Sequence, residues 1–308
     1  MRLLPAVLRR LTTGLVVLWA AATAAYLALL AAPGDTVDSI IGDGADTPLI
    51  RSQIVDEWGL ERPAVVQYAD YLWRAAQGDL GRSYLLQRPV RDVVGEQVWP
   101  TLKLALVAAL LGVVLALVLA VTTRRPWARR ASSTTELVLV STPPFLIGII
   151  LLSVFSFRLG WFPVAGDRGF AALVLPAVTL ALPIAGVLTQ VLREGLDRAL
   201  EEPFAVTARS RGLRESAVLV RHALRHALLP ADTLTGWLFG ILLGGAVIIE
   251  QVFGRPGLGQ VTLQAVNTKD MPVVLAVVVL SAAVYVVLNT AADLAYLLID
   301  PRLRGAER

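Results

Sequence analysis

Six stretches without a charged side chain, at 11–32, 104–123, 137–157, 169–192, 233–249 and 271–292, set the terms on which this chain can fold. Each is near the ~20 residues that carry an α-helix across ~30 Å of hydrocarbon. They are continuous in Leu, Ala, Val and Ile, without the two-residue alternation of a membrane β-barrel strand. Lipid offers no water to backbone amides, so runs of this kind satisfy their hydrogen bonds internally, as helices. The 308 residues are 56% hydrophobic and 17% charged, against ~45–50% apolar in soluble domains. The pattern predicts an all-α, polytopic membrane protein with six transmembrane helices. The run at 233–249 is the shortest and requires Asp232 or Glu250 near an interface.

Charge orients the spans. Residues 32–98 hold eleven acids against six Arg, whereas 124–130 holds Arg124, Arg125, Arg129 and Arg130 with no acid. Arg2, Arg9 and Arg10 precede the first run, Arg302, Arg304 and Arg308 follow the last, and seven Arg lie between Arg193 and Pro230. With six spans these basic segments fall on one side, which the positive-inside rule makes cytoplasmic. Both termini are then inside, and 32–98, 158–170 and 250–270 face outward. The first run's 22 uncharged residues exceed the ~7–15-residue core of a signal peptide, which predicts a retained helix.

The expected organisation is a tail and first span (1–31), an external helical cap (32–98) and a core of five spans (99–308). In the cap, Pro63 is placed to open a helix through 64–76, with Val65, Tyr68, Leu72 and Ala75/Ala76 on one stripe. A shorter helix ends near Asp56-Glu57-Trp58-Gly59, a turn falls at 78–81, and a third helix runs from Val90 to Val98 into span 2. Such a cap can cover helix ends, dock a partner, or both. Ser132-Ser133-Thr134 is helix-start chemistry, Pro143-Pro144 interrupts span 3, and Pro176 and Pro183 kink span 4, for a transport route or for packing. Gly236, Gly240 and Gly244 form a small-residue face, followed by Gly245, for packing within the chain or against a partner subunit.

Much chemistry is excluded. There is no cysteine, hence no disulfide or thiol chemistry. The only lysines are Lys103 and Lys269 and no phosphate-binding loop is present, so no catalytic residue and no ATP hydrolysis are assigned. Residues 254–259 read as a tight external turn. His222 and His226 lack the acid and third ligand of a metal site, and no metal is assigned. Glu250 and Asp293 lie at run boundaries rather than mid-span, which weakens an ion-coupled mechanism without removing it.

The basic segment 193–230 carries the functional signal. Pro203 after Glu201 and Glu202 favours a helix start, and Gly212 is suited to end it. Beyond it Ala217, Val220, Leu224 and Ala227/Leu228 form an apolar stripe, with Arg214, Arg221 and Arg225 opposite. On periodicity alone, an interfacial helix binding anionic lipid headgroups remains open.

Residues 207–213 (TARSRGL) and 221–230 (RHALRHALLP) resemble the coupling segment of ABC-importer permeases of the dipeptide/oligopeptide branch. Also similar are 59–73 (GLERPAVVQYADYLW), 78–84 (GDLGRSY), 158–166 (RLGWFPVAG), 173–183 (LVLPAVTLALP), 244–260 (GGAVIIEQVFGRPGLGQ) and 300–305 (DPRLRG). Val206 and Thr207 depart from the general motif, and Arg255 stands where an aromatic is more usual. The resemblance implies a type I ABC-importer permease fold. It further implies a homologous second permease subunit, two cytosolic ATPase domains that hold ATP and Mg, an external solute-binding protein, a peptide-like substrate and surrounding membrane lipid, with no nucleic acid and no cofactor on this chain. Phe204, Thr207, Ala208, Arg209, Arg211, Gly212 and Leu213 would couple to the ATPase, with Phe204 as the apolar knob, Arg209 and Arg211 as anchors and Gly212 as the turn. Asp56, Glu57 and Glu61 would dock the binding protein. Relatives with haem, nickel chelate, glutathione or oligosaccharide cargo leave the ligand open. An ion-coupled secondary transporter and a structural or receptor subunit are the competing classes.

Overall fold

The computed structural model describes residues 3–31, 36–41, 47–227 and 235–299. Its helices, in chain order, are α1 (Leu3–Ala31), α2 (Thr36–Ile41), α3 (Pro48–Trp58), α4 (Ala64–Ala76), α5 (Val90–Thr122), α6 (Pro126–Ser141) and α7 (Pro144–Leu151) with a π-helical continuation, Leu152–Arg158. Then come α8 (Ala171–Glu201), α9 (Pro203–Ser210), α10 (Glu215–Val218), a π segment (Leu219–Ala223), α11 (Leu224–Ala227), α12 (Thr235–Val252), α13 (Leu258–Asn267) and α14 (Met271–Ile299). Among the described residues the only β contact is a bridge between Arg82 and Pro89.

Every uncharged run is predominantly helical where described. Residues Thr12–Ala31, Val90–Thr122, Ala171–Glu201 and Met271–Ala291 are single helices long and apolar enough to cross a membrane. The third run is broken: α6 and the helix from Pro144 meet at 106°. Thr142, before Pro143, is forced extended at φ −90°, ψ 127°, and neither proline has an N–H to continue the ladder. Pro126 sits at the start of α6, so that helix begins six residues before Ser132. The Ser132-Ser133-Thr134 cluster is therefore mid-helix, a correction to its reading as a helix start.

The chain forms two compact units, Met1–Pro100 with Gly257–Val286, and Thr101–Pro256 with Val287–Arg308. In the first, α4 starts after Pro63 and ends before Gly78, whose φ is +81°. Its buried stripe is Ala64, Tyr68, Tyr71, Leu72 and Ala75, packed with Tyr26 and Leu275. Val65, expected on that stripe, is 78% exposed and Ala64 takes its place, while Tyr68, Leu72 and Ala75 pack inward as expected. The Tyr26 hydroxyl donates to Ala64 O at 2.6 Å and its ring lies 4.9 Å from that of Tyr68. The helix expected at 90–98 is the first part of α5, and Val90 and Val94 pack with Leu258, Ala265, Val273 and Val277.

The turn at 78–81 is closed by Gly81 N–H donating to Asp79 Oδ1 at 2.9 Å. The following loop is held by Asp270, which is 2% exposed. Its carboxylate accepts from Ser83 Oγ at 2.5 Å and from the amides of Tyr84 and Leu85 at 3.2 and 3.3 Å.

In the second unit α8 is the axis, with α6, α7, α11 and α12 packed on it. It runs through Pro176 and Pro183 as one helix. Pro176 cannot donate to Ala172 O, four residues back. That carbonyl instead accepts from Arg255 Nη1 at 2.9 Å. Arg255 is 3% exposed, and burial holds its pKa below the usual value. The 254–259 segment is thus a turn at Gly254 (φ +51°) whose last residues open α13.

Replacing Asp270 by Ala strands the buried Ser83 hydroxyl and removes the acceptor of two part-buried amides. At about 1–3 kcal/mol per unsatisfied group, Asp270→Ala is expected to lower the thermal unfolding temperature of the purified protein. Limited proteolysis should then cut first within 82–89.

Candidate functional site

The basic segment begins inside α8, which outlasts its uncharged run by more than two turns. Arg193 is accordingly not a loop residue. It is 5% exposed and forms a bidentate pair with Glu136 of α6, itself 2% exposed, with Nη2–Oε1 at 2.7 Å and Nη1–Oε2 at 3.2 Å. Ser133 Oγ and Thr123 Oγ1 each accept from the guanidinium at 3.0 Å, and Ser132 Oγ accepts at 3.1 Å while donating to Glu136 Oε1. The misplaced helix-start residues are the second layer of this pair. Sequence reasoning missed it, because the two charges lie 57 residues apart. The available signal was Glu136 itself, an acid opening a long uncharged run.

Two residues further along α8, Gly195 lies against α11. A Cβ on it would stand 3.0 Å from Ala227 Cα and 3.1 Å from Ala227 O. Glycine is what lets the backbone of α11 approach so closely. Asp197 then takes the basic α5–α6 connection, at 2.8 Å from Arg129 and 3.3 Å from Arg124.

α9 starts as expected, with Glu202 as N-cap and Pro203 at the first helical position. It ends in a paired-bond glycine cap. Gly212, at φ +82°, donates its N–H to Arg209 O at 2.9 Å, and Leu213 N–H donates to Ala208 O at 3.2 Å. Ala205 and Ala208 are buried, and these small side chains let α9 lie close to α8. Phe204 also faces inward: its ring stacks on His226 at 4.6 Å and it packs on the hydrophobic core. Its reading as an outward knob is corrected. Arg209 bridges Glu215 at 2.8 and 3.0 Å and donates to Leu200 O at 3.1 Å, so it ties α9 to the following helix. The hydrogen bond from Arg209 holds the Glu215 carboxyl below the usual carboxylate range. The outward surface consists of Val206, which is 59% exposed, with Thr207, Ser210 and Arg211.

After Gly212 the buried positions are Val218, Leu219, Ala223 and Ala227, with Leu224 half-buried and Val220 55% exposed. This departs from the expected stripe because the π segment spaces its bonds i→i+5 and rotates the helix. Arg214, Arg221 and Arg225 are exposed as expected. Leu228 and Pro230 lie outside the described residues.

Gly240 and Gly244 on α12 have nothing within 4 Å of where a Cβ would stand, so within this chain their face is open among the described residues. The close intrachain contact falls on Gly245, where an added Cβ would stand 3.0 Å from Leu180 Cδ2. The surroundings of Gly236 and the side chains of Glu57 and Asp293 lie outside the described residues, as do residues 300–305. Glu250, expected near an interface, is 1% exposed and accepts from Thr101 Oγ1 at 2.5 Å. Asp56 and Glu61 are exposed in the first unit, each at the edge of a cavity.

A family model described as the binding-protein-dependent transport system inner membrane component matches residues 110–305, which include α6 to α14. The chain belongs to this family. The permease is 36% identical, over 97% of its length and 98% of the relative's, to a protein of Brucella abortus (strain 2308) provisionally named a peptide transport system permease protein. It is 33% identical, over the same shares, to the glutathione transport system permease protein GsiC of Escherichia coli (strain K12). An inward-facing structure of the MetNI methionine ABC transporter covers 69% of this chain and 98% of its own with a TM-score of 0.56 at 19% identity, which shows a shared fold. The chain is thus a membrane-embedded ABC-importer permease of type I fold, as the similarity at 207–213 and 244–260 implied.

Removing one partner of a buried pair costs about 3–5 kcal/mol, whereas exchanging both for apolar residues of similar size is often neutral. Glu136→Ala is expected to lower the unfolding temperature of the purified permease sharply. Glu136→Met combined with Arg193→Met should recover most of the loss, which separates the ion pair from the packing of α6 on α8.

Proposed function

We propose that this permease forms half of a path for peptides, coupled to ATP hydrolysis through the outer face of α9. The observation that carries this reading is the two-sided character of that helix. Its inner side is anchored by Phe204, Ala205, Ala208 and Arg209, and its exposed side presents Val206, Thr207, Ser210 and Arg211, the two hydroxyls bonding only back to carbonyls of α9 itself. A short, stiff, one-sided helix is suited to receive the motion of another subunit. Gly212 and Leu213 set its end.

The partners in this reading are a homologous second permease subunit, two cytosolic ATPase domains that bind ATP and Mg, and an extracytoplasmic solute-binding protein; the chain itself holds no cofactor and performs no hydrolysis. The open face at Gly240 and Gly244 would pack against the second subunit. The termini and segment 193–230 lie in the cytosol, and residues 32–98 form an outward cap that docks the binding protein through Asp56, Glu57 and Glu61. The names of the B. abortus and E. coli relatives support a peptide cargo, since glutathione is itself a small peptide. ATP closes the ATPase dimer, α9 moves with it, and the path opens outward; hydrolysis resets the inward-facing state.

A β-branched residue at Gly212 must adopt φ near +82° or undo the cap. Gly212→Val is therefore expected to reduce ATP-driven peptide uptake into proteoliposomes at least tenfold, while the variant still inserts and co-purifies with its partner permease. Undiminished uptake by this variant would sink the coupling assignment.

A further inference from the structure

Two cavities adjoin in the first unit, of about 410 and 440 Å³, sharing Tyr26, Gln67, Tyr84 and Met271 in their walls. Small-molecule sites fall in the range of ~300–1,000 Å³. The larger cavity is lined by two acids and two arginines. Arg62 and Asp70 are engaged with each other at 3.0 Å. The other two are not so engaged: among the described residues the Asp56 carboxylate has no ion-pair partner, and Arg74 makes only a 3.5 Å contact from Nε to Asp70 O. The cavity therefore presents one available anion and one available cation.

A third group points the same way. Tyr71 is 8% exposed, and its hydroxyl is buried without a hydrogen-bond partner among the described residues. Phenylalanine would fill that space without desolvating a donor. Burial, with Tyr68 nearby, pushes the Tyr71 pKa to about 12, so at neutral pH the hydroxyl keeps its proton to donate. Trp73, 71% exposed, and Tyr26 supply aromatic wall.

We propose that this cavity binds a small zwitterion, with its ammonium toward Asp56 and its anionic oxygens toward Arg74 and the Tyr71 hydroxyl. A free dipeptide carries that chemistry, and so does the phosphoethanolamine headgroup of a lipid. The inference stands on the geometry of this unit and does not depend on the coupling role of α9.

The test is isothermal titration of alanyl-alanine into the purified transporter, without binding protein or nucleotide, in phosphatidylglycerol nanodiscs, whose headgroup has no ammonium. Saturable binding is expected. Asp56→Asn and Arg74→Gln should each weaken it at least tenfold, and N-acetyl-alanyl-alanine amide should not bind. Tyr71→Phe should weaken it several-fold while leaving the ligand-free unfolding temperature unchanged or higher; a purely structural tyrosine would give the reverse. In discs containing phosphatidylethanolamine, loss of dipeptide binding, together with lipid retained in native mass spectra by the parent but not by Asp56→Asn, identifies the headgroup as the source. If neither probe binds, or if binding is the same in all three variants, the proposal is overturned. That result would leave the ATP-driven uptake assay and its reading of Gly212 untouched.

Discussion

The buried pair between Glu136 and Arg193 is the interaction on which the second unit's geometry depends. Elsewhere in the unit the packing is mostly Ala, Leu, Val and Ile, which attract without direction and tolerate sliding of one helix past another. A bidentate guanidinium–carboxylate contact tolerates almost none, because a shift that breaks it leaves two charges in a dry environment. The pair joins α6 to α8, and Thr123 brings the end of α5 into the same cluster. Position along the helix axes is thereby fixed in the last turns of α8, just before α9.

Much of the architecture was legible because it rests on local chemistry. Uncharged runs fix where helices lie, and Pro63, Pro203 and Gly212 act through their own backbones, so those boundaries fell where they were expected. The errors share a different cause. Arg193 looked like a surface cation because a side chain's burial depends on a distant partner. Ser132-Ser133-Thr134 looked like a cap because hydroxyls serve equally to cap a helix and to solvate a buried ion. Val65 and Val220 were placed on buried stripes by spacing alone, but Ala64 takes the inward place beside Val65 and a π turn carries Val220 outward. Phe204 drew attention as the largest apolar side chain near α9, yet size favours burial as readily as contact with a partner. Gly240, Gly244 and Gly245 could not be told apart by sequence, though among the described residues only the last meets a neighbour.

Arg255 shows how a departure from a family pattern can be read physically. Proline in a membrane helix frees a carbonyl, and that carbonyl needs a donor from elsewhere. Here the donor is a guanidinium from the turn after α12, directed at the oxygen that Pro176 leaves open. A phenylalanine at this position could shield the carbonyl but could not donate to it. Pro176 and Arg255 thus explain each other: the proline makes a buried cation useful, and the cation makes a buried proline tolerable.

These anchors give the segment around α9 its mechanical character. Glu136 holds Arg193; two residues on, Gly195 brings α8 against Ala227; one residue before Ala227, His226 stacks on Phe204; and α9 extends from Phe204 to a capped end at Gly212. Each step is a close backbone approach, a ring stack or a bidentate bond, and none is a flexible linker. Arg209 closes the chain of contacts by joining α9 to Leu200 O and Glu215. A push on Val206 or Arg211 therefore meets α8 as a rigid body rather than being absorbed in a loop. Such a connection suits a protein that must exchange two packed arrangements, since a stiff element transmits a displacement that a compliant one would dissipate.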